Sequence, residues 1–392
     1  MERNDRLLTA AQGYIDRQQF AGIEWHVEAR GAVLTAGRVG YADAAGKAPI
    51  ADEALYRIYS MTKPVVSVMA LMLIEHGKLR LYDALAQFNP AFAAMRVLLP
   101  NGRLEPAQRP ILVEDLLTHR AGFTYEFITG CHIAPGYDAV DLSSDGQCSL
   151  DETMTKLAAQ PLAFQPGSQY RYSVSTDVLA HVLERATGKT LSSLLKEYIF
   201  EPLAMHDTDY YVPAEKQARL MPMFGVTDVS KFASLNPPAK QVLVAADVEQ
   251  MHPSNDPGFT RGGHGLFSST SDYAKFARML LTGKTPDGHA ILSRPMLSML
   301  TTNRIPADQL PLTIGMNPLP GYGWGLGMRV MMDTGRALSL TNNGEFGWAG
   351  AASTYFWVDP SEQMIGIFMS QYLGSVLPMA DDLRTAAYQM LV

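Results

Sequence analysis

A serine and a lysine three positions apart, Ser60-Met61-Thr62-Lys63, make a pairing that could do nucleophilic chemistry. On the opening turn of a helix, positions i and i+3 share a face, so the Lys63 amine reaches the Ser60 hydroxyl. A serine hydroxyl attacks poorly until a base takes its proton, and a lysine is that base only when desolvation or a nearby cation lowers its pKa. The apolar residues Val65, Val66, Met69 and Ala70 supply such burial. A helix N-terminus adds free N–H groups and positive potential beside the nucleophile. The expected chemistry is acyl transfer through an ester formed on Ser60, with Lys63 as base.

Two residue types at one spacing are a weak signal, and Ser193-Leu194-Leu195-Lys196 repeats it. That second match lies inside an amphipathic pattern after Gly188, with no strand ahead of it to expose the serine, and reads as ordinary helix. The first match has company. Pro166-Gly167-Ser168-Gln169-Tyr170-Arg171-Tyr172-Ser173 is followed at once by a helical pattern, which puts Tyr172 on a loop entering a helix. A tyrosine near a lysine ammonium exists partly as phenolate and passes protons, which suits it to protonate a leaving group. Without Ser60 and Lys63, Tyr172 would read as a ring filling a helix-entry corner. Farther on, Gly347-Trp348-Ala349-Gly350 precedes a strand pattern over 351–358, where small residues let backbone N–H groups approach a substrate.

The elements that must position these residues follow from periodicity. Residues 5–19 have helical spacing, and 23–30 and 32–41 read as strands joined at Arg30-Gly31. After the short strand-like run 55–59, residues 62–76 are apolar nearly all round and stop at Gly77, as a buried helix with a glycine cap does. Helical periods at 113–118, 150–159 and 175–187 alternate with Pro- and Gly-rich connections, and 205–262 reads as cleft-edge loops. Residues 271–282 form an amphipathic helix. Strands are expected at 322–332, 337–341, 351–358 and 363–370, with a closing helix over 377–392.

Strands at both ends with helices between them imply an α+β protein: one antiparallel sheet built from both termini and flanked by helices. The expected division is a sheet domain of 1–80 and 265–392, and an inserted mostly helical domain of 81–264, with the ligand cleft between them.

In order and separation, the Ser60, Tyr172 and Trp348 elements resemble the superfamily of serine β-lactamases, DD-peptidases and family VIII carboxylesterases. The resemblance spans nearly the whole chain and includes Leu116-Leu117-Thr118-His119-Arg120-Ala121-Gly122, Gly262-Gly263-His264-Gly265-Leu266-Phe267-Ser268 and Tyr322-Gly323-Trp324-Gly325-Leu326-Gly327-Met328. It implies a β-lactamase/transpeptidase-like fold with Ser60 as nucleophile, Lys63 as base and Tyr172 as proton shuttle. It implies an oxyanion hole from the backbone N–H groups of Ser60 and Ala351. Tyr125, Trp348 and Gly350 resemble cleft-lining positions of the esterase members, although Tyr125 and Trp348 read equally well as packing residues. His119 and His264 fall in family-like turns and read as structural hydrogen-bonders.

The departures carry information. The antibiotic-binding members usually have K-T-G or H-T-G where this chain has Trp348-Ala349-Gly350, and Y-x-N where it has Tyr172-Ser173-Val174. Losing a charge-assisted hydrogen bond to a carboxylate costs about 1.5–3 kcal/mol, which weakens recognition of acidic β-lactams. Small neutral esters are the better expectation. An acyltransferase on the same scaffold, a weak β-lactamase or amide hydrolase, and a catalytically inactive binding protein are the alternatives.

Bulk properties agree with a globular enzyme: 392 residues, 47% hydrophobic and 18% charged. The net charge of -7 is spread along the chain and leaves no basic stripe, which argues against a nucleic-acid partner. Cys131 and Cys148 match no metal pattern and are expected as free thiols. With no G-x-S-x-G elbow and no H-E-x-x-H, neither an α/β-hydrolase nor a metalloenzyme is expected, and no metal or cofactor is implied. No signal peptide or membrane span is visible, so a soluble cytoplasmic protein with a small-molecule ester as partner is expected. A processed leader would leave the same sequence, and nothing here sets the oligomeric state.

Overall fold

The computed structural model describes residues 5–143, 145–226 and 241–391. Its centre is a seven-stranded sheet formed by β1 (Gly22–Ala29), β2 (Ala32–Gly40), β3 (Tyr322–Trp324), β4 (Arg329–Met331), β5 (Phe346–Gly350), β6 (Thr354–Asp359) and β7 (Met364–Met369). The spatial order is β3-β4-β5-β6-β7-β1-β2, and every neighbouring pair is antiparallel. The two ends of the chain meet where β1 pairs with β7, with Trp25 opposite Phe368. β6 and β7 are buried along their whole length, as strands covered on both faces must be.

One face of the sheet packs on helix α1 (Asp5–Asp16) and on a closing helix, Met379–Tyr388, around Trp357, Phe368 and Leu383. The other face packs on the helix Thr270–Thr282, where Tyr273 meets Phe356 edge-on at 5.0 Å. The Thr270–Thr282 helix is fixed at both ends: Ser269 accepts the N–H of Asp272, and Gly283 turns left-handed at φ 76°. Helix α2 (Thr62–Glu75) is buried from Thr62 to Leu73, which accounts for its lack of a polar face. Helix α3 (Ser175–Thr187) follows the Tyr172 loop and ends on left-handed Gly188. The core around α2 is continuous with residues of the 81–264 block and with the inner sheet face.

Several expected elements fall differently. Residues 322–332 form a hairpin rather than one strand, because Gly325 to Met328 turn the chain between β3 and β4. Residues 337–341 form no strand: Leu338 and Leu340 alternate toward solvent with no neighbour to pair with, at 84% and 47% exposure. The Trp348 stretch does not precede a strand but is itself β5, and the next strand begins only at Thr354, after a turn with Ser353 at φ 61°. Of the run 55–59, Tyr56–Arg57 forms a short strand with Phe267–Ser268, and Leu55 makes an isolated parallel bridge to Leu220. Part of the expected loop region 205–262 and the last residue of the expected closing helix lie outside the described residues.

Cys131 and Cys148 are buried free thiols. Among the described residues, no helix is long and apolar enough to cross a membrane.

Candidate active site

The strand-to-helix junction at Ser60 is held from several directions. Gln371 accepts the N–H of Arg57 at 3.0 Å and donates to its carbonyl at 3.1 Å, and Ile58 N–H bonds to the Leu266 carbonyl. Tyr59 then adopts φ 44°, a left-handed conformation that costs a bulky residue about 1–3 kcal/mol and persists only when its surroundings impose it. The chain reverses through one 3-10 turn, Tyr59–Met61, and enters α2. This leaves Ser60 half-buried in a cavity wall.

Lys63 is 1% exposed, and its Nζ lies 3.1 Å from Ser60 Oγ. Nζ also donates to the Gly263 carbonyl at 2.7 Å and sits 4.7 Å and 5.1 Å from the ring centres of Tyr172 and Tyr125. Burial lowers its pKa to about 7, with the carboxylate of Asp177 pulling the other way. A neutral amine is therefore well populated at neutral pH, beside the hydroxyl it would deprotonate.

Tyr172 is 4% exposed, and its hydroxyl is hydrogen-bonded with that of Ser60 and accepts the indole N–H of Trp348 at 3.1 Å. Its loop is braced by the Leu116–Gly122 stretch. His119, at φ 54°, accepts the N–H of Arg171 on its carbonyl and lays its ring 4.8 Å from the Tyr172 ring. Gly122 has φ 97°, and a Cβ there would stand 2.7 Å from the Phe164 carbonyl. Burial raises the Tyr172 pKa above its ordinary value, outweighing the hydrogen bonds from Ser60 and Trp348. The partial phenolate expected from a neighbouring lysine is thus replaced by a neutral phenol, a proton donor at rest.

Gly350 explains the close approach of β5. A Cβ there would collide with Thr354 Oγ1 and with the Ile58 carbonyl, two residues before the serine. Trp348, Gly350 and Ala351 consequently line the same cavity as Ser60, with Ala351 in the turn after β5. Tyr125 also faces this cavity, stacked on Phe127 at 4.8 Å, and its buried hydroxyl has no hydrogen-bond partner among the described residues. The cavity measures about 420 Å³ and is walled mainly by apolar and aromatic groups, with Ile314 and Leu319 contributed by the hairpin of Leu312–Ile314 and Asn317–Leu319.

Every expected site residue, then, gathers at one cavity: Lys63 lies behind Ser60, and the others line the wall. His264 lines it too, while burial and its cationic neighbours push its pKa, like that of His119, well below the ordinary range. Val174 is packed in the core rather than toward the cavity. The repeated motif is different, with Ser193 and Lys196 exposed on the surface. Among the residues that the sequence leaves unmarked are Asp177, which carries no more than the signature of a first-turn helix acid, and the cavity-lining Phe127 and Arg329, which belong to no motif.

A Beta-lactamase family model matches residues 7–390. Protein Rv1367c of Mycobacterium tuberculosis is 32% identical over 348 residues, 87% of this chain and 83% of that protein. Esterase EstB of Burkholderia gladioli is 28% identical over 376 residues, 92% of this chain and 89% of that protein. The solved structure of EstCE1, described as a hydrolase with promiscuous acyltransferase activity, superposes with a TM-score of 0.82 over 98% of both chains at 23% identity, a likeness of fold. With a family match across nearly its whole length and the β-lactamase-like sheet and helices in place, this chain belongs to the Beta-lactamase family.

Proposed function

We propose that this chain is a serine carboxylesterase that hydrolyses small neutral esters through an acyl-enzyme on Ser60. One observation carries the reading: a desolvated Lys63 amine with a pKa lowered to about 7 lies 3.1 Å from the Ser60 hydroxyl at the wall of an open cavity. Lys63 takes the serine proton as Oγ bonds to the ester carbonyl carbon, and the N–H groups of Ser60 and Ala351 receive the charge on the carbonyl oxygen. As the carbon–oxygen bond to the alcohol breaks, Tyr172 gives its proton to the departing oxygen. The Lys63 ammonium beneath its ring returns a proton to the phenolate. Water then attacks the acyl-enzyme, giving its proton to Lys63, and the acid leaves as Ser60 is reprotonated.

The substrate class follows from the walls. The strand that lines the cavity beside Ser60 presents Trp348, Ala349 and Gly350, none of them a cation, and the arginine that reaches the wall, Arg329, is engaged by the Tyr355 hydroxyl and by the rings of Tyr322 and Tyr355 rather than left for a carboxylate. An aromatic cavity of about 420 Å³ favours apolar acyl or alcohol groups. The name of EstB accords with an ester substrate. Ser60→Ala is expected to abolish turnover of a short-chain p-nitrophenyl ester, and retention of most of the activity would refute the reading.

The description of EstCE1 favours a second reading, acyl transfer to an alcohol on the same acyl-enzyme. Product analysis with an added alcohol separates the two: a transferase gives mainly the new ester, an esterase mainly the free acid.

A further inference from the structure

The carbonyl that holds Lys63 is itself held by an acid that the acyl-transfer scheme does not use. Asp177 stands on the first turn of α3 and is 3% exposed. Its Oδ1 accepts the N–H of Gly263 at 2.9 Å, and the carbonyl of the same Gly263 accepts from Lys63 Nζ at 2.7 Å. One backbone residue therefore bridges carboxylate and amine. A Cβ on Gly263 would lie 2.6 Å from Asp177 Oδ2 and 2.7 Å from the Tyr125 hydroxyl, so any side chain there would displace the carboxylate or the phenol. A Cβ on Gly262 would collide with the Thr176 carbonyl, so the pair of glycines lets this segment close on the start of α3.

We propose that Asp177 is a positioning residue for acylation, acting through the Gly262–Gly263 backbone to fix the carbonyl that aims Lys63 at Ser60. The inference rests on the assignment of Ser60 and Lys63 made above. Electrostatics adds a second effect, since the carboxylate opposes the burial that drives Lys63 toward its neutral form. The other titratable or charged groups on this cluster are Tyr125, Tyr172, Tyr210, His119, His264 and Arg261. Burial holds the three phenols protonated and both imidazoles neutral, and the guanidinium keeps its charge. Burial raises the Asp177 pKa too, while Lys63, the Gly263 N–H and Arg261 draw it back toward the carboxylate, and that carboxylate is the charge that strengthens the hold of Lys63 on its proton.

Asp177→Asn keeps an acceptor for the Gly263 N–H and deletes the charge, whereas Asp177→Ala deletes both. The test is the rate at which a fluorophosphonate probe labels Ser60 in the full chain as a function of pH, with ester turnover measured in parallel. For Asp177→Asn the acidic limb of the profile is expected to move to lower pH by about one unit, a tenfold shift in proton affinity, with the plateau close to wild type. For Asp177→Ala the plateau is expected to fall by about tenfold or more, in kcat more than in KM, with no pH restoring it. A plateau in Asp177→Ala equal to that of Asp177→Asn overturns the positioning role, an unmoved limb in Asp177→Asn overturns the charge effect, and Asp177→Ser, whose hydroxyl is too short to reach the Gly263 N–H in the same way, takes the place of the alanine variant if that does not fold. A wild-type chain that the probe never labels would instead refute the Ser60 assignment, a result distinct from an unmoved limb in a labelled protein.

Discussion

The indole N–H of Trp348 donates to the hydroxyl of Tyr172 across 176 residues of sequence, which ties the central sheet to the loop carrying the proton donor. This bond takes up one acceptor site on the phenol oxygen, so the phenol proton is aimed by what remains around it, Ser60 and any bound leaving group. Trp348→Phe keeps most of the packing against Trp324 and Tyr172 but removes the donor. The expected stability loss is about 1 kcal/mol. The kcat should fall several-fold, and more for esters of poorly acidic alcohols than for p-nitrophenyl esters, because only the former need the proton. Equal losses across a leaving-group series would contradict this role.

What the sequence reveals depends on how local the interaction is. Ser60 and Lys63 are separated by three residues, so the helix period alone brings them together. Tyr172 and Trp348 needed the ordered resemblance, since nothing local announces a bond between positions so far apart. Asp177 was missed for the same reason: its partner Gly263 lies 86 residues away, and the acid alone looks like any first-turn carboxylate. The false strand over 337–341 shows the converse. Alternation was present, but period-two spacing does not supply a neighbouring strand, and Leu338 ends up facing solvent.

The lowered pKa of Lys63 fixes two pH dependences. Acylation requires the neutral amine, so kcat/KM should rise with pH and level off above about 7. Stability follows by linkage. Between about 7 and the unfolded-state value of 10.5, the unfolded chain binds a proton at Lys63 that the folded chain does not, so stability rises with pH through this window. Below it, an ammonium must be kept buried. The full difference is on the order of 5 kcal/mol. In Lys63→Met this contribution disappears, so the melting temperature of wild type relative to the variant should climb from pH 7 to pH 10. Parallel curves would show that Lys63 is not desolvated as described.

Gly350→Ala tests the approach of β5 to the junction. The added methyl would collide with Thr354 Oγ1 and the Ile58 carbonyl, both backed by buried structure, so the strand end must retreat from the segment leading to Ser60. Donors of an oxyanion hole work only at hydrogen-bonding distance, and losing one costs about a hundredfold in kcat or more. The expected variant is folded by circular dichroism, with turnover lowered by that order and binding of a substrate analogue much less affected. Near-normal turnover would remove Ala351 from the proposed oxyanion hole.

The hydroxyl of Tyr125 sets stability against function. It is buried at the cavity wall without a hydrogen-bond partner among the described residues, and an unmade hydrogen bond of this kind costs about 1–3 kcal/mol. A purely structural ring would gain by losing it. Tyr125→Phe should therefore keep or raise the melting temperature. If the hydroxyl is reserved for a substrate oxygen, the same change should raise KM several-fold while leaving kcat within about threefold, since the loss falls on bound substrate and transition state alike. Higher stability with an unchanged KM would make Tyr125 a packing residue, the other reading its place in the sequence allowed. The ring itself still braces Lys63 at 5.1 Å, so Tyr125→Ala should lower kcat as well. That contrast between the phenylalanine and alanine variants separates the hydroxyl from the ring.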